Sequence, residues 1–164
     1  MALEYVYKLT SELTQQEVDA TVEVLNGTFQ PWGEESIFRW KYMENPYGDS
    51  LHVICYDEGE PAGCTAFWRN DLDGLLAYNC ADLAVLPTHQ RKGIFHTMES
   101  GCVERLQGSY IYNIFSNETS LAGFYRFGWN VRRKAPIRFH LASSVLKKYE
   151  NLGLIEDKYV QWRF

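Results

Sequence analysis

Between Leu51 and Leu86 the chain carries three apolar runs, each ended by a turn that reverses it. Leu51-His52-Val53-Ile54-Cys55-Tyr56 and Ala62 to Trp68 flank Asp57-Glu58-Gly59-Glu60-Pro61, which has tight-turn composition, so the two runs read as a hairpin. Asn70-Asp71-Leu72-Asp73-Gly74 is a second turn. Leu75 to Leu86 reads as a longer strand, closed by Pro87. The period then changes. Ile94, Met98, Cys102 and Leu106 lie four apart, a helical stripe that would face the sheet. A hairpin, a third strand and a covering helix predict a mixed α/β fold.

The flanks agree. Tyr5 to Leu9 alternates as a short strand. Thr14-Gln15-Gln16-Glu17 has capping-box spacing, and Val18, Val22, Leu25 and Phe29 follow at helical intervals. This predicts a helix over 14–27, ended by Gly27. Glu34 to Met43 reads as a second short helix, stopped by Asn45-Pro46-Tyr47-Gly48. Gly108 ends the helix at 94–106, and Tyr110 to Phe115 is apolar on both faces, as in a central strand. Ser116-Asn117 can cap a helix over Glu118 to Phe127, closed by Gly128. A strand from Trp129 to Leu141, a helix near Ser144 to Glu150 and a strand near Lys158 to Phe164 complete the reading. No linker or repeat divides the 164 residues, so residues 1–164 are expected to form a single domain.

Charge and cysteine usage narrow the function. The net charge is −5 and there is no long basic run, which argues against nucleic acid or an anionic membrane as main partner. No apolar run approaches the roughly 20 residues of a membrane helix, and the first residues lack the pattern of a signal peptide. Cys55, Cys64, Cys80 and Cys102 form no Cys-x-x-Cys pair, so no metal site is expected and core packing is the reading for all four. These features predict a cytoplasmic protein with reduced thiols.

One segment carries chemistry. Leu86-Pro87-Thr88-His89-Gln90-Arg91-Lys92-Gly93-Ile94-Phe95 joins a strand to a helix through a polar turn with one glycine and two cations. A helix N-terminus leaves backbone N–H groups unpaired and carries about half a positive charge, so such a turn is suited to a phosphate. Gly93 would let the backbone approach a ligand closely, or it would serve the turn alone; spacing does not separate the two. The segment is neither a Walker loop nor a dinucleotide fingerprint.

Taken with Asn117-Glu118-Thr119-Ser120-Leu121-Ala122-Gly123-Phe124-Tyr125-Arg126-Phe127-Gly128-Trp129, the turn resembles the GNAT superfamily of acyl-CoA-dependent N-acyltransferases. Gln90-Arg91-Lys92-Gly93-Ile94-Phe95 is similar to its pyrophosphate motif, Gln/Arg-x-x-Gly-x-Gly/Ala, and the second segment to its Asn…Tyr…Gly-Phe motif. Two positions depart from the pattern. Phe95 stands where a small residue is usual, so its ring must point away from the phosphates or the loop must shift. Counting from Asn117 or from Gly128 places Phe124, not Tyr125, at the tyrosine position, and helix neighbours point about 100° apart.

The resemblance implies one GNAT-like domain with a mixed, mostly antiparallel sheet of about six to seven strands, splayed near the cofactor site and flanked by helices. It implies acetyl transfer from acetyl-CoA to a primary amine of a small molecule by direct attack, without metal. An acyl-CoA-binding module without catalysis, or a protein N-acetyltransferase, are the alternatives. Backbone groups of Gln90, Arg91, Lys92, Gly93, Ile94 and Phe95 would hold the pyrophosphate. Main-chain groups of Leu83, Ala84 and Val85 would pair with the pantetheine arm like an extra strand. Asn117 would contact the cofactor or cap its helix, and Phe124 would lie beside the cofactor. Asp82 would be the base, ahead of His89 and His52. Tyr125 would protonate the leaving thiolate, with Tyr78 and Tyr112 as alternatives. The aromatic residues at Phe29 to Gly33 and Trp40 to Tyr42 would line the acceptor side or face a partner in a homodimer.

Overall fold

The computed structural model describes residues 2–72, 74–114 and 118–130. Asp57 pairs with Glu60, and the two residues between them, Glu58 and Gly59, take positive φ of 56° and 90°. That is the backbone a two-residue hairpin loop requires. It joins β2 (Leu51–Asp57) to β3 (Glu60–Arg69). β1 (Leu3–Leu9) lies antiparallel to β2, and β4 (Ala77–Val85) antiparallel to β3. β5 (Tyr110–Tyr112) runs parallel to β4. The sheet is mixed and mostly antiparallel, with strand order β1-β2-β3-β4-β5. It has five strands among the described residues, where six to seven were expected. The elements expected beyond residue 130 lie outside those residues.

Helices cover both faces. α1 (Gln15–Thr28) starts in the predicted capping box: Thr14 N donates to Glu17 Oε2 at 2.7 Å, and Glu17 N to Thr14 Oγ1 at 3.3 Å. Gly27 does not end this helix. A Cβ there would come within 2.6 Å of Leu86 Cδ2, so the glycine lets α1 approach the end of β4. The second helix is α-helical only over α2 (Glu35–Phe38) and continues as a π-helix over Arg39–Met43. α1, α2 and the π-helix bury Val18, Val24, Leu25, Phe38 and Tyr42 against Cys64, Ala66, Trp68 and Ala84.

The opposite face is covered by α3 (Ile94–Arg105). Its predicted stripe, Ile94, Met98, Cys102 and Leu106, joins Val53, Cys55, Ala62, Phe67, Tyr78 and Cys80 in one core. α4 (Glu118–Arg126) follows β5 and adds Phe124 to that core. The third predicted strand is shorter than expected at its start, because Leu75 and Leu76 lie exposed in the turn before β4. β5 is half its expected length. It leaves β4 after three pairs, and that divergence builds the site.

Candidate functional site

Over one short stretch β4 carries a residue more than β3: Cys64 pairs with Ala84, but Ala66 pairs with Ala81. The surplus is a β-bulge. Asp82 stands in it with φ of 51°, a region few non-glycine residues enter and aspartate tolerates better than most. β4 and β5 separate before the bulge is reached. Their pairing covers only Ala77, Tyr78 and Asn79, and Asn113 Nδ2 then donates to the Cys80 carbonyl at 3.0 Å across the apex of the fork.

The fork exposes main-chain groups. Leu86 N donates to Ala62 O on the β3 side. Alternation along an antiparallel strand therefore turns the peptide groups of Val85 and Leu83 the other way, into the fork. Among the described residues no strand pairs with them there. The Val85 carbonyl accepts a bond from Gln90 Nε2 at 3.2 Å. Ala84 pairs with Cys64, so of the three residues assigned to an extra strand, Leu83 and Val85 face the fork and Ala84 does not.

The strand leads through a 3-10 turn (Pro87–His89) into the glycine turn. Gly93 is the N-cap of α3, with φ of 81° and no side-chain cap. A Cβ on it would meet nothing within 4 Å. The backbone conformation, not lack of room, calls for glycine. The first intrahelical bond runs from Thr97 N to Gly93 O at 3.0 Å, so the amides of Ile94, Phe95 and His96 precede it and point out of the helix end. Ile94 supplies only its backbone here, since its side chain is 1% exposed in the core. Arg91 is exposed and also has positive φ, 65°. The Lys92 ammonium is engaged elsewhere, 3.1 Å from Asp57 Oδ2, and His89 Nε2 lies 3.3 Å from the same oxygen.

Phe95 turns away from the loop. Its ring packs against Phe124 and Phe127, at centroid distances of 5.6 and 5.8 Å. A Cβ on Gly123 would lie 2.6 Å from the Phe95 ring. The large residue at 95 is thus accommodated by the missing side chain at 123. Phe124 is buried and lies 4.8 Å from Trp129, ring to ring, so it is a core residue. Tyr125, its neighbour on α4, is 53% exposed. Asn117 lies outside the described residues.

On the α1/α2 face Asp82 is held from three sides. Lys41 Nζ and Tyr42 Oη lie 2.8 and 2.5 Å from Asp82 Oδ2, and Trp32 Nε1 lies 3.3 Å from Oδ1. Lys41 also lies 5.4 and 5.6 Å from the ring centroids of Tyr42 and Trp68. Burial, the Asp82 charge and the Asp82 hydrogen bond push the Tyr42 phenol well above its ordinary pKa, so it stays a donor. His52 lies between Phe38 and Tyr42, with Nε2 3.0 Å from Thr10 Oγ1. Burial lowers its pKa to about 4, so it is neutral and part of the packing. Of the alternative phenols, Tyr78 is buried in the core, and Tyr112 Oη accepts from Asn70 Nδ2 at 2.8 Å.

Sequence reasoning missed four polar residues. Lys41 and Tyr42 were flagged only as part of an aromatic segment. Asp57 read as a turn residue, although it ends β2 beside the loop. Asn113 read as one residue of an apolar strand. A fifth, Glu99, is 1% exposed, with each carboxyl oxygen 3.5 Å from Cys80 Sγ. It lies one residue past Met98 and three before Cys102, on the flank of the helical stripe; that spacing was the available signal. Burial raises its pKa to about 7.

Comparison with known proteins agrees with this architecture. Curated proteins contain no significant match to the sequence. A probable acetyltransferase from meticillin-resistant Staphylococcus aureus superposes with a TM-score of 0.62 at 12% identity, covering 85% of this chain and 100% of that one. An aminoglycoside acetyltransferase from an uncultured soil metagenomic sample gives 0.60 at 18% identity, with 86% and 98% covered. A ribosomal-protein-alanine N-acetyltransferase from Brucella melitensis gives 0.61 at 13% identity, with 84% and 100% covered. At such identities these likenesses concern the fold. The sequence profile of the acetyltransferase (GNAT) family matches residues 17–129, more than half of the chain, and the chain belongs to that family.

Proposed function

We propose that the chain is one acetyltransferase domain that moves an acetyl group from acetyl-CoA to the primary amine of a small molecule. The observation that carries this reading is the fork. The peptide groups of Leu83 and Val85 line its β4 edge, and the same strand leads to the open N-terminus of α3 at Gly93. A thread-like ligand with an anionic end fits both: the chain pairs as an added strand and the phosphates meet the helix N-terminus. Backbone amides from Arg91 to Phe95 hold the pyrophosphate, and the Arg91 side chain adds a cation. Lys92 acts indirectly, as a strut from the loop to Asp57.

With the pyrophosphate at Gly93 and the arm along Val85 and Leu83, the reactive end lies toward Asp82 and the apex of the fork. The acceptor amine must arrive neutral. Asp82 serves as its base, directly or through water, once the incoming amine takes the place of Lys41. Tyr125, exposed on α4, is the group proposed to return a proton to the leaving thiolate. The net charge of −5 favours a cationic acceptor and disfavours nucleic acid. The four free, buried cysteines support a reducing, cytoplasmic setting. Among the described residues no helix is long and apolar enough to cross a membrane.

The three donors on Asp82 favour one second reading, a module that binds acyl-CoA without transfer. Release of free thiol from acetyl-CoA against a panel of amines separates the two. Turnover that falls in Tyr125→Phe with unchanged cofactor affinity supports the mechanism. Cofactor binding without turnover on any amine supports the module.

A further inference from the structure

Lys41 is a primary amine held where this mechanism requires one. Its Nζ lies 2.8 Å from the carboxylate of the bulged residue, on the α1/α2 face of the sheet. Several independent features fix it there. The residue sits in a five-residue π-helix, Arg39–Met43, a rare backbone form that recurs at functional sites. Its side chain is 17% exposed, and the rings of Tyr42 and Trp68 flank the ammonium. The other two described lysines are paired with other carboxylates, Lys8 with Glu17 and Lys92 with Asp57.

We propose that Lys41 is itself an acyl acceptor, so that the protein acylates its own Nζ when an acyl-CoA is bound and no other amine occupies the acceptor side. This rests on the cofactor reading given above. The ammonium gives one proton through the Asp82 carboxylate to solvent. The neutral nitrogen then forms a bond to the thioester carbonyl carbon, the carbon–sulfur bond breaks, and the second proton leaving nitrogen ends on the thiol of coenzyme A. Amide, free coenzyme A and one released proton balance lysine ammonium and thioester. The physical advantage is position: a held amine reacts as though present at very high concentration. The acylated product is neutral, so it no longer pairs with Asp82.

The test uses the full chain incubated with acetyl-CoA alone, read by intact mass and by peptide mapping. One acetyl group per chain is expected, with occupancy at Lys41 about tenfold or more above that at Lys8 or Lys92, as effective concentration requires. Lys41→Arg should abolish the label while keeping the thermal shift that acetyl-CoA produces. Acetyl-CoA that stabilises the wild type without labelling Lys41, or that labels Lys8, Lys41 and Lys92 alike, overturns this proposal and leaves the cofactor reading standing. Acetyl-CoA that neither stabilises nor labels the protein overturns both.

Discussion

Glu99 offers a test of the packing between α3 and β4. Its carboxyl is 1% exposed and touches Cys80 Sγ through both oxygens. Its pKa is raised from 4.5 to about 7, first by burial. In the unfolded chain the group ionises near its ordinary value; in the folded chain it keeps its proton until about pH 7. The folded state therefore binds the extra proton between these values, and stability falls as pH rises through that window. Each pKa unit corresponds to about 1.4 kcal/mol, so the full effect is about 3 kcal/mol. Glu99→Gln keeps size and hydrogen bonding and removes the titration. Urea unfolding of both proteins across pH 4 to 9 should give nearly equal stabilities at the acid end. The variant should gain steadily toward neutrality and hold a lead of about 3 kcal/mol above pH 7. A difference that is flat with pH, or that shrinks as pH rises, refutes a neutral buried acid at this position.

Three other outcomes follow from the geometry. Gly123→Ala places a Cβ 2.6 Å from the Phe95 ring and should cost about 1–3 kcal/mol by overpacking; Phe95→Leu in the same chain should recover part of it, giving a coupling above about 0.5 kcal/mol in a thermal double-mutant cycle. Asp57→Asn releases Lys92 and His89 from their shared oxygen; the loop should loosen and acyl-CoA affinity fall severalfold in calorimetry, with turnover at saturation little changed. Asp82→Asn breaks the part-buried pair with Lys41 and should cost about 1–3 kcal/mol, less than a fully buried pair because both partners retain some exposure. Chemical denaturation measures that loss, and no loss would mean the carboxylate does not hold the π-helix to β4.

The sheet was legible because its signals are local. Two tight-turn residues fixed the β2–β3 hairpin, and the stripe from Ile94 to Leu106 fixed the buried face of α3. Other features depend on partners distant in sequence. Gly27 reads as a helix end, yet its role comes from Leu86, which only the folded sheet brings near. The bulge at Asp82 is a mismatch between β3 and β4, and one strand alone cannot display it. The turn at Gly93 is legible locally, but the ion pair of Lys92 is not, because Asp57 reaches that ammonium from another strand. Phe95 looked like an obstacle to the loop; the residue that accommodates it, Gly123, lies on α4. Lys41 and Tyr42 appeared only as part of an aromatic stretch, since nothing local shows that Asp82 lies against them.

The central claim is that the fork between β4 and β5 and the N-terminus of α3 together hold an acyl-CoA. Backbone amide NMR during titration with coenzyme A reads both places at once. The account predicts saturable shifts at Gly93, Ile94 and Phe95, from the phosphates, and at Leu83 and Val85, from the paired arm. Ala84, which faces β3, should move less. Binding that leaves Gly93 to Phe95 and the β4 edge unshifted would contradict the account, as would no binding at all.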